Sequence, residues 1–128
     1  MPDLRTYDYA IVRVVPRVER GEFVNAGIII SCDVEGILRA AIELDEAALL
    51  ALDGSVDIDL IRTTLAMIPV VCTGGADAGA IGKLSARERF HWLVSPKSTI
   101  VQTSPVHTGQ CADLNGALEH LMKRMIRR

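Results

Sequence analysis

An α+β fold is predicted by three features of the sequence. β-Branched runs joined by short turns fill the N-terminal third, the hydrophobic spacing changes to a helical period after residue 45, and an unbroken apolar stripe runs through the C-terminal segment. With 128 residues, the chain can bury one core and is too small for two ordinary ones, so residues 1–128 are expected to form a single domain. The expected architecture is an antiparallel β-meander of about four strands, covered by helices and closed by a long amphipathic C-terminal helix.

The first two strands are expected over 9–16 (YAIVRVVP) and 23–32 (FVNAGIIISC), where both alternating faces are apolar, as in strands covered on both sides. Pro16 limits the ladder at the end of the first. A third strand, 37–43, follows a short turn ending at Gly36. Asp45 is placed to cap a short helix over 46–52 and Asp57 a second over 58–68, where Ile58, Ile61, Leu65 and Ile68 recur at helical spacing until Pro69. Residues 72–83 look like a loop. Ser85 and Glu88 form a capping box that opens a helix carrying Phe90, Trp92 and Leu93. A fourth strand is expected over 98–104, followed by a loop holding His107. Asp113 precedes the last helix, in which Leu114, Ala117, Leu118, Leu121, Met122, Met125 and Ile126 form the stripe.

Composition narrows the function. A net charge of −2 gives no global attraction to nucleic acid or an acidic membrane, so any anion site must be local. Three cysteines, widely spaced and without a C-x-x-C pair, indicate neither a disulfide framework nor a zinc knuckle and suit a reduced, cytoplasmic setting. The N-terminal segment lacks the pattern of a secretory signal, and no apolar run approaches the length of a membrane span. No metal or cofactor motif is present. The glycine-rich segment ending in Gly82-Lys83 has Asp77 where a phosphate-binding loop needs glycine and Leu84 where it needs Ser or Thr.

The stretch VPRVERGEFVNAG, residues 15–27, holds the main polar constellation. A three-residue loop with Gly21 in the left-handed conformation sets Val18 across from Glu22, Arg17 from Phe23, Val15 from Asn25 and Arg13 from Gly27. Arg13, Asn25 and Gly27 then share one face of the sheet. Arg13 interrupts an otherwise apolar strand, and a guanidinium there needs either a structural acceptor or a ligand anion. Arg17, Arg20 and Glu22 extend the constellation around the turn.

YAIVRVVPR followed by RGEFVNAGI, with the later SPKSTIVQTSPVHTG, resembles an uncharacterised bacterial family, domain of unknown function 3037. The resemblance covers most of the chain. It implies a partner, a HipA-like kinase encoded beside family members, and implies no activity; an arginine is expected as readily as Lys97 at that position.

The segment 95–109 is polar for a strand in so aliphatic a chain. Lys97, Ser98, Gln102 and His107 can form a donor-rich rim for an anionic small ligand, provided this segment lies near the first hairpin; an edge strand with a solvated face explains the same composition. Arg87 and Arg89 with Trp92 suit a basic aromatic surface or a solvated helix face. No complete catalytic set is present. The favoured function is therefore a non-enzymatic interaction or regulatory module, with Arg13, Arg17, Arg20, Glu22 and Asn25 as one half of its surface and the 97–107 segment as the other. The alternatives are a small enzyme on a phosphorylated or nucleic-acid ligand, in which Arg13, Glu22 and His107 converge, and a structural subunit with Arg13 in a salt bridge.

Overall fold

A computed structural model describes residues 3–97 and 99–127. Three antiparallel strands come first: β1 (Arg5–Val14), β2 (Val24–Cys32) and β3 (Ile37–Ile42). Helices α1 (Glu46–Leu52), α2 (Ile58–Thr73) and α3 (Ala86–Val94) follow, then strands β4 (Val101–Thr103) and β5 (His107–Cys111) and the last helix, α4 (Leu114–Met125). The sheet order is β3-β2-β1-β4, and β5 pairs with the other half of the same edge of β1. The meander is thus confined to β1–β3, and the chain returns to the opposite side of β1 for its last two strands.

The two faces of the sheet are covered differently. Val12, Val14, Val24, Ala26, Ile29 and Leu38 point toward α1–α3 and pack with Leu49, Ile61, Leu65, Phe90 and Leu93. Tyr7, Ile28, Ile30 and Cys32 point the other way, where Leu114, Leu121, Met122 and Ile126 of α4 and its end meet them. No single helix is long and apolar enough to cross a membrane.

Capping fixes the helix starts as the sequence indicates. Asp45 accepts from the Ala48 N–H (3.0 Å), Asp57 from the Leu60 N–H (3.1 Å), and Ser85 and Glu88 form the reciprocal box. Asp113 accepts from the N–H groups of Asn115 and Gly116 at the start of α4.

Four expectations are corrected. First, α2 runs through Pro69 to Thr73. An interior proline costs about 3 kcal/mol, but burial of the Val71 side chain returns about 1.5–3 kcal/mol. Arg89 adds charge-assisted bonds to the carbonyls of Val71 (2.7 Å) and Cys72 (2.6 Å), which hold the last turn closed. Second, residues 76–83 form tight 3₁₀ turns broken at Gly79 rather than an open loop. Third, His107 begins a strand, β5, instead of lying in a loop. Its sequence, HTGQC, has no apolar alternation, and its glycine sits where a Cβ would lie 2.7 Å from the Tyr7 ring. Fourth, the β1–β2 register differs: Arg13 faces Asn25 and Val14 faces Val24, while a bulge at Ala26 sets Gly27 across from Val12. The register moves by two positions, which keeps Arg13 and Asn25 on one face, whereas the bulge carries Gly27 to the other.

Gly27 is required by β3. A Cβ there would lie 2.5 Å from the Ala41 carbonyl oxygen and 2.7 Å from Ile42 Cδ1. At the turn, Gly21 has φ +72° as expected, and its N–H closes on the Val18 carbonyl (3.2 Å).

Candidate functional site

β4 pairs with the Arg13 end of β1, so the hairpin and the polar 97–107 segment are neighbours in the sheet. Arg13 lies between Asn25 on β2 and Gln102 on β4, and the three form a cross-strand row. The bonds Ser104 N–H to Ile11 O (2.8 Å) and Val15 N–H to Ile100 O (2.6 Å) show that the odd residues of this part of β1 turn their backbone groups toward β4. Arg13 and Asn25 therefore form a non-hydrogen-bonded pair, the closer of the two antiparallel types, with Cα atoms about 4.5 Å apart.

Arg13 is half-buried. Its guanidinium carbon lies 4.2 Å from the centre of the Phe23 ring, and Phe23 is itself 43% exposed. No carboxylate pairs with Arg13 among the described residues, and its Nε is buried without a hydrogen-bond partner. Beside it, Asn25 donates from Nδ2 to the carbonyl of Met125 near the end of α4 (3.3 Å), while its Oδ1 is buried and unpartnered. Turning the amide over would set Oδ1 against the Met125 carbonyl, so the donor's direction is fixed by the helix end. A cleft of about 220 Å³ opens next to them, lined by Phe23, Val24, Asn25, Asp45, Met125 and Ile126.

The other expected site residues have partners within the fold. Arg17 donates to Asp53 (3.3 Å), and Arg20 pairs with Glu22 (2.5 Å), whose hydrogen bond and charge hold the Glu22 carboxyl below its usual range. The Lys97 ammonium donates to the carbonyls of Trp92, Leu93 and Ser95, each at 3.1 Å, and closes the C-terminus of α3. Partial burial lowers the Lys97 pKa. Gln102 donates to the Thr99 carbonyl (2.7 Å). His107 faces Tyr9 across the β1–β5 ladder, with ring centres 5.4 Å apart. Ser98 lies outside the described residues.

Catalytic convergence is not what this arrangement offers. Tyr9, the partner of His107, is four residues from Arg13 along β1, a separation of about 13 Å. Glu22 lies in the turn before the start of β2, paired to Arg20. Among the described residues, no cluster of three or more His, Cys, Asp or Glu side chains is placed to hold a metal ion. All three cysteines are free, and burial pushes the Cys72 thiol up to about 12, away from thiolate chemistry.

Arg87 and Arg89 serve the fold rather than a solvated helix face or a basic binding surface. Arg87 pairs with Asp8 (2.8 Å) and donates to Ser31 (3.2 Å), joining α3 to the sheet. Arg89 closes the end of α2 and donates to the Leu84 carbonyl (3.1 Å).

A second surface feature was not anticipated from the sequence. Two apolar pockets lie between α2 and the edge strand β4, one of about 150 Å³ against Met67, Trp92 and Val101 and one of about 490 Å³ against Val18, Leu60 and Ile100. The signal was available: Leu60, Thr64 and Met67 repeat at i, i+4 and i+7, beside the core stripe of α2.

No curated protein and no solved structure matches this chain. A family model described as "Protein of unknown function (DUF3037)" matches residues 9–126, nearly the whole sequence, and the chain therefore belongs to the DUF3037 family.

Proposed function

We propose that this protein is a cytoplasmic interaction module that binds another protein through the turn end of the β1–β2 hairpin. The observation that carries this reading is the presentation of Arg13. It is the half-buried cation of the hairpin without an internal counter-charge among the described residues, and it stands beside an unsatisfied Asn25 carbonyl oxygen. A buried or half-buried polar group left unpaired costs about 1–3 kcal/mol, more when it is charged. A partner carboxylate at the hairpin supplies the counter-charge that Arg13 lacks among the described residues.

The dispersal of the remaining polar residues supports binding over catalysis. Arg17, Arg20, Glu22 and Lys97 are held in internal contacts, and His107 pairs with Tyr9, four residues along β1 from Arg13. A small enzyme acting on a phosphorylated substrate would need these groups within reach of one atom. The family resemblance supplies a candidate partner, a HipA-like kinase.

Affinity purification of the tagged chain from its host, with retained proteins and small molecules identified by mass spectrometry, tests the reading. Retention of one protein in stoichiometric amount, and its loss from the folded Arg13→Met chain, is the expected result. Recovery of a phosphate ester or nucleic acid with no protein would overturn it in favour of the small enzyme.

A further inference from the structure

We propose that the outer edge of β4 takes an added strand from the partner protein, an extended segment with apolar side chains at alternate positions and acidic flanks. This rests on the interaction reading above and names the kind of segment the partner supplies beside the hairpin. β4 ends the sheet path β3-β2-β1-β4. The bonds from Ser104 N–H to Ile11 O and from Val15 N–H to Ile100 O turn the backbone groups of its even positions toward β1, so those of Val101 and Thr103 turn outward. Their two N–H groups and the Thr103 carbonyl make no hydrogen bond among the described residues. The Val101 carbonyl accepts from the Thr99 hydroxyl (2.9 Å) and keeps a second lone pair.

Pockets adjoin this edge along its length. The Met67–Trp92 pocket and the Leu60–Ile100 pocket share Thr99 and Val101 as lining. A third, of about 360 Å³ between Pro96 and Pro105, shares Lys97, Gln102 and Thr103 with the first. Val101 and Thr103 pair with Val14 and Val12, so their side chains stand on the face of α1–α3, where the first two pockets open. In an antiparallel added strand, the residues opposite Val101 and Thr103 share that face and turn their own N–H and C=O groups toward β4. Two apolar side chains about 7 Å apart then enter the pockets while their main chain bonds to the edge.

That geometry selects an extended chain, because the main-chain groups of a helix are spent on its own ladder except at its ends. The lining sets the alternate positions: Leu60, Met67, Trp92 and Ile100 are large apolar side chains left exposed. Charge sets the flanks. Lys97 lines two of the pockets, and among the described residues no carboxylate lines any of the three. An acidic flank is complementary to this rim, whereas a basic one meets like charge.

The test uses the full-length ¹⁵N-labelled protein and follows the NMR signals of the Val101 and Thr103 backbone amides and the Trp92 indole N–H. The probes are the blocked peptide acetyl-Glu-Ile-Thr-Ile-Glu-amide, the same peptide N-methylated at both isoleucines, and acetyl-Lys-Ile-Thr-Ile-Lys-amide, at matched ionic strength and pH. Saturable shifts of all three signals with the acidic peptide, their loss on N-methylation, and about fivefold weaker binding of the basic peptide are expected. Thr103→Pro removes one outward N–H and leaves the β1 ladder intact, and is expected to bind about fivefold more weakly. Met67→Glu, a change at an exposed position of α2, is expected to abolish the shifts. The absence of shifts with the acidic peptide would overturn the proposal, as would binding that N-methylation leaves unchanged, and equal binding of the basic peptide would overturn the acidic flanks. Shifts of Val101 and Thr103 with protein concentration alone would assign the edge to a second copy and overturn it as well. If a partner retained from cells is lost from Arg13→Met and kept by folded Met67→Glu, strand addition fails and the interaction reading stands. If it is lost from Met67→Glu and kept by Arg13→Met, the hairpin reading fails and the β4 edge is the site.

Discussion

The two faces of the central sheet use the same strands for opposite ends. Under α1–α3, each strand residue that points inward is apolar or finds an anchor: Val12, Val14 and Ile29 are fully buried, and Ser31 and Asp8 are tied to Arg87. Beneath α4 the burial is complete over Ile28 and Ile30 but ends at the hairpin, where Arg13 and Asn25 replace apolar side chains and keep unsatisfied atoms. Side chains alternate along β1, so its even residues seal the core under α1–α3, while Arg13 stands on the odd face whose Tyr7 and Ile11 pack toward α4. Substitutions on each face therefore distinguish side chains that hold the fold from the unpaired Arg13.

The largest effect is expected from the sealed face. Phe90→Ala should lower unfolding free energy by about 3–5 kcal/mol, measured by urea denaturation, because the surrounding helices cannot close over the cavity. On the other face, Leu121→Ala is expected to cost about 2–3 kcal/mol, near the low end for a buried leucine, because α4 is a single helix that can settle onto the sheet. A larger loss at Leu121 than at Phe90 would reverse the proposed ranking of the faces.

A smaller effect belongs to the bridge between α3 and β1. Burial alone would raise the Asp8 carboxyl, but hydrogen bonds from Thr108 and Arg87 and the charge of Arg87 outweigh it and hold the group below the usual carboxylate range. A carboxyl lowered on folding stabilises the protein above its unfolded pKa of about 4, and that contribution is lost as pH falls through the lower folded value. Asp8→Asn is therefore expected to cost about 1 kcal/mol at pH 7 and to flatten the acid limb of a stability profile below about pH 4. An unchanged acid limb would show that the pair carries no linkage.

Much of this arrangement was legible in the sequence because it is local. The caps at Asp45, Asp57, Ser85 and Asp113, the left-handed Gly21 and the stripe of α4 each depend on residues a few positions apart. The anomaly of Arg13 was visible in the same way, as one charge inside an apolar run. What could not be read depended on distant partners. β5 is stabilised by pairing with β1 rather than by its own composition, and α2 passes Pro69 because α3 supplies Arg89 to its end. Lys97, Arg17 and Arg20 have the residue types of an anion site, yet their acceptors come from a helix terminus, a later loop and the turn itself. The bulge at Ala26 moved Gly27 to the opposite face, a displacement that no short-range pattern announces.

The central claim is that Arg13 serves contact and not folding, and Arg13→Met tests it most directly when unfolding and partner retention are measured on the same preparation. Methionine fills the space without a charge; the loss of stacking on Phe23, about 0.5–1 kcal/mol, is offset by removal of the buried, unpartnered Nε. The expected result is no loss of stability beyond about 1 kcal/mol together with loss of the retained partner. A fall of more than about 2 kcal/mol, the scale of a broken buried charge contact, with the partner still bound would contradict it and make Arg13 a structural residue.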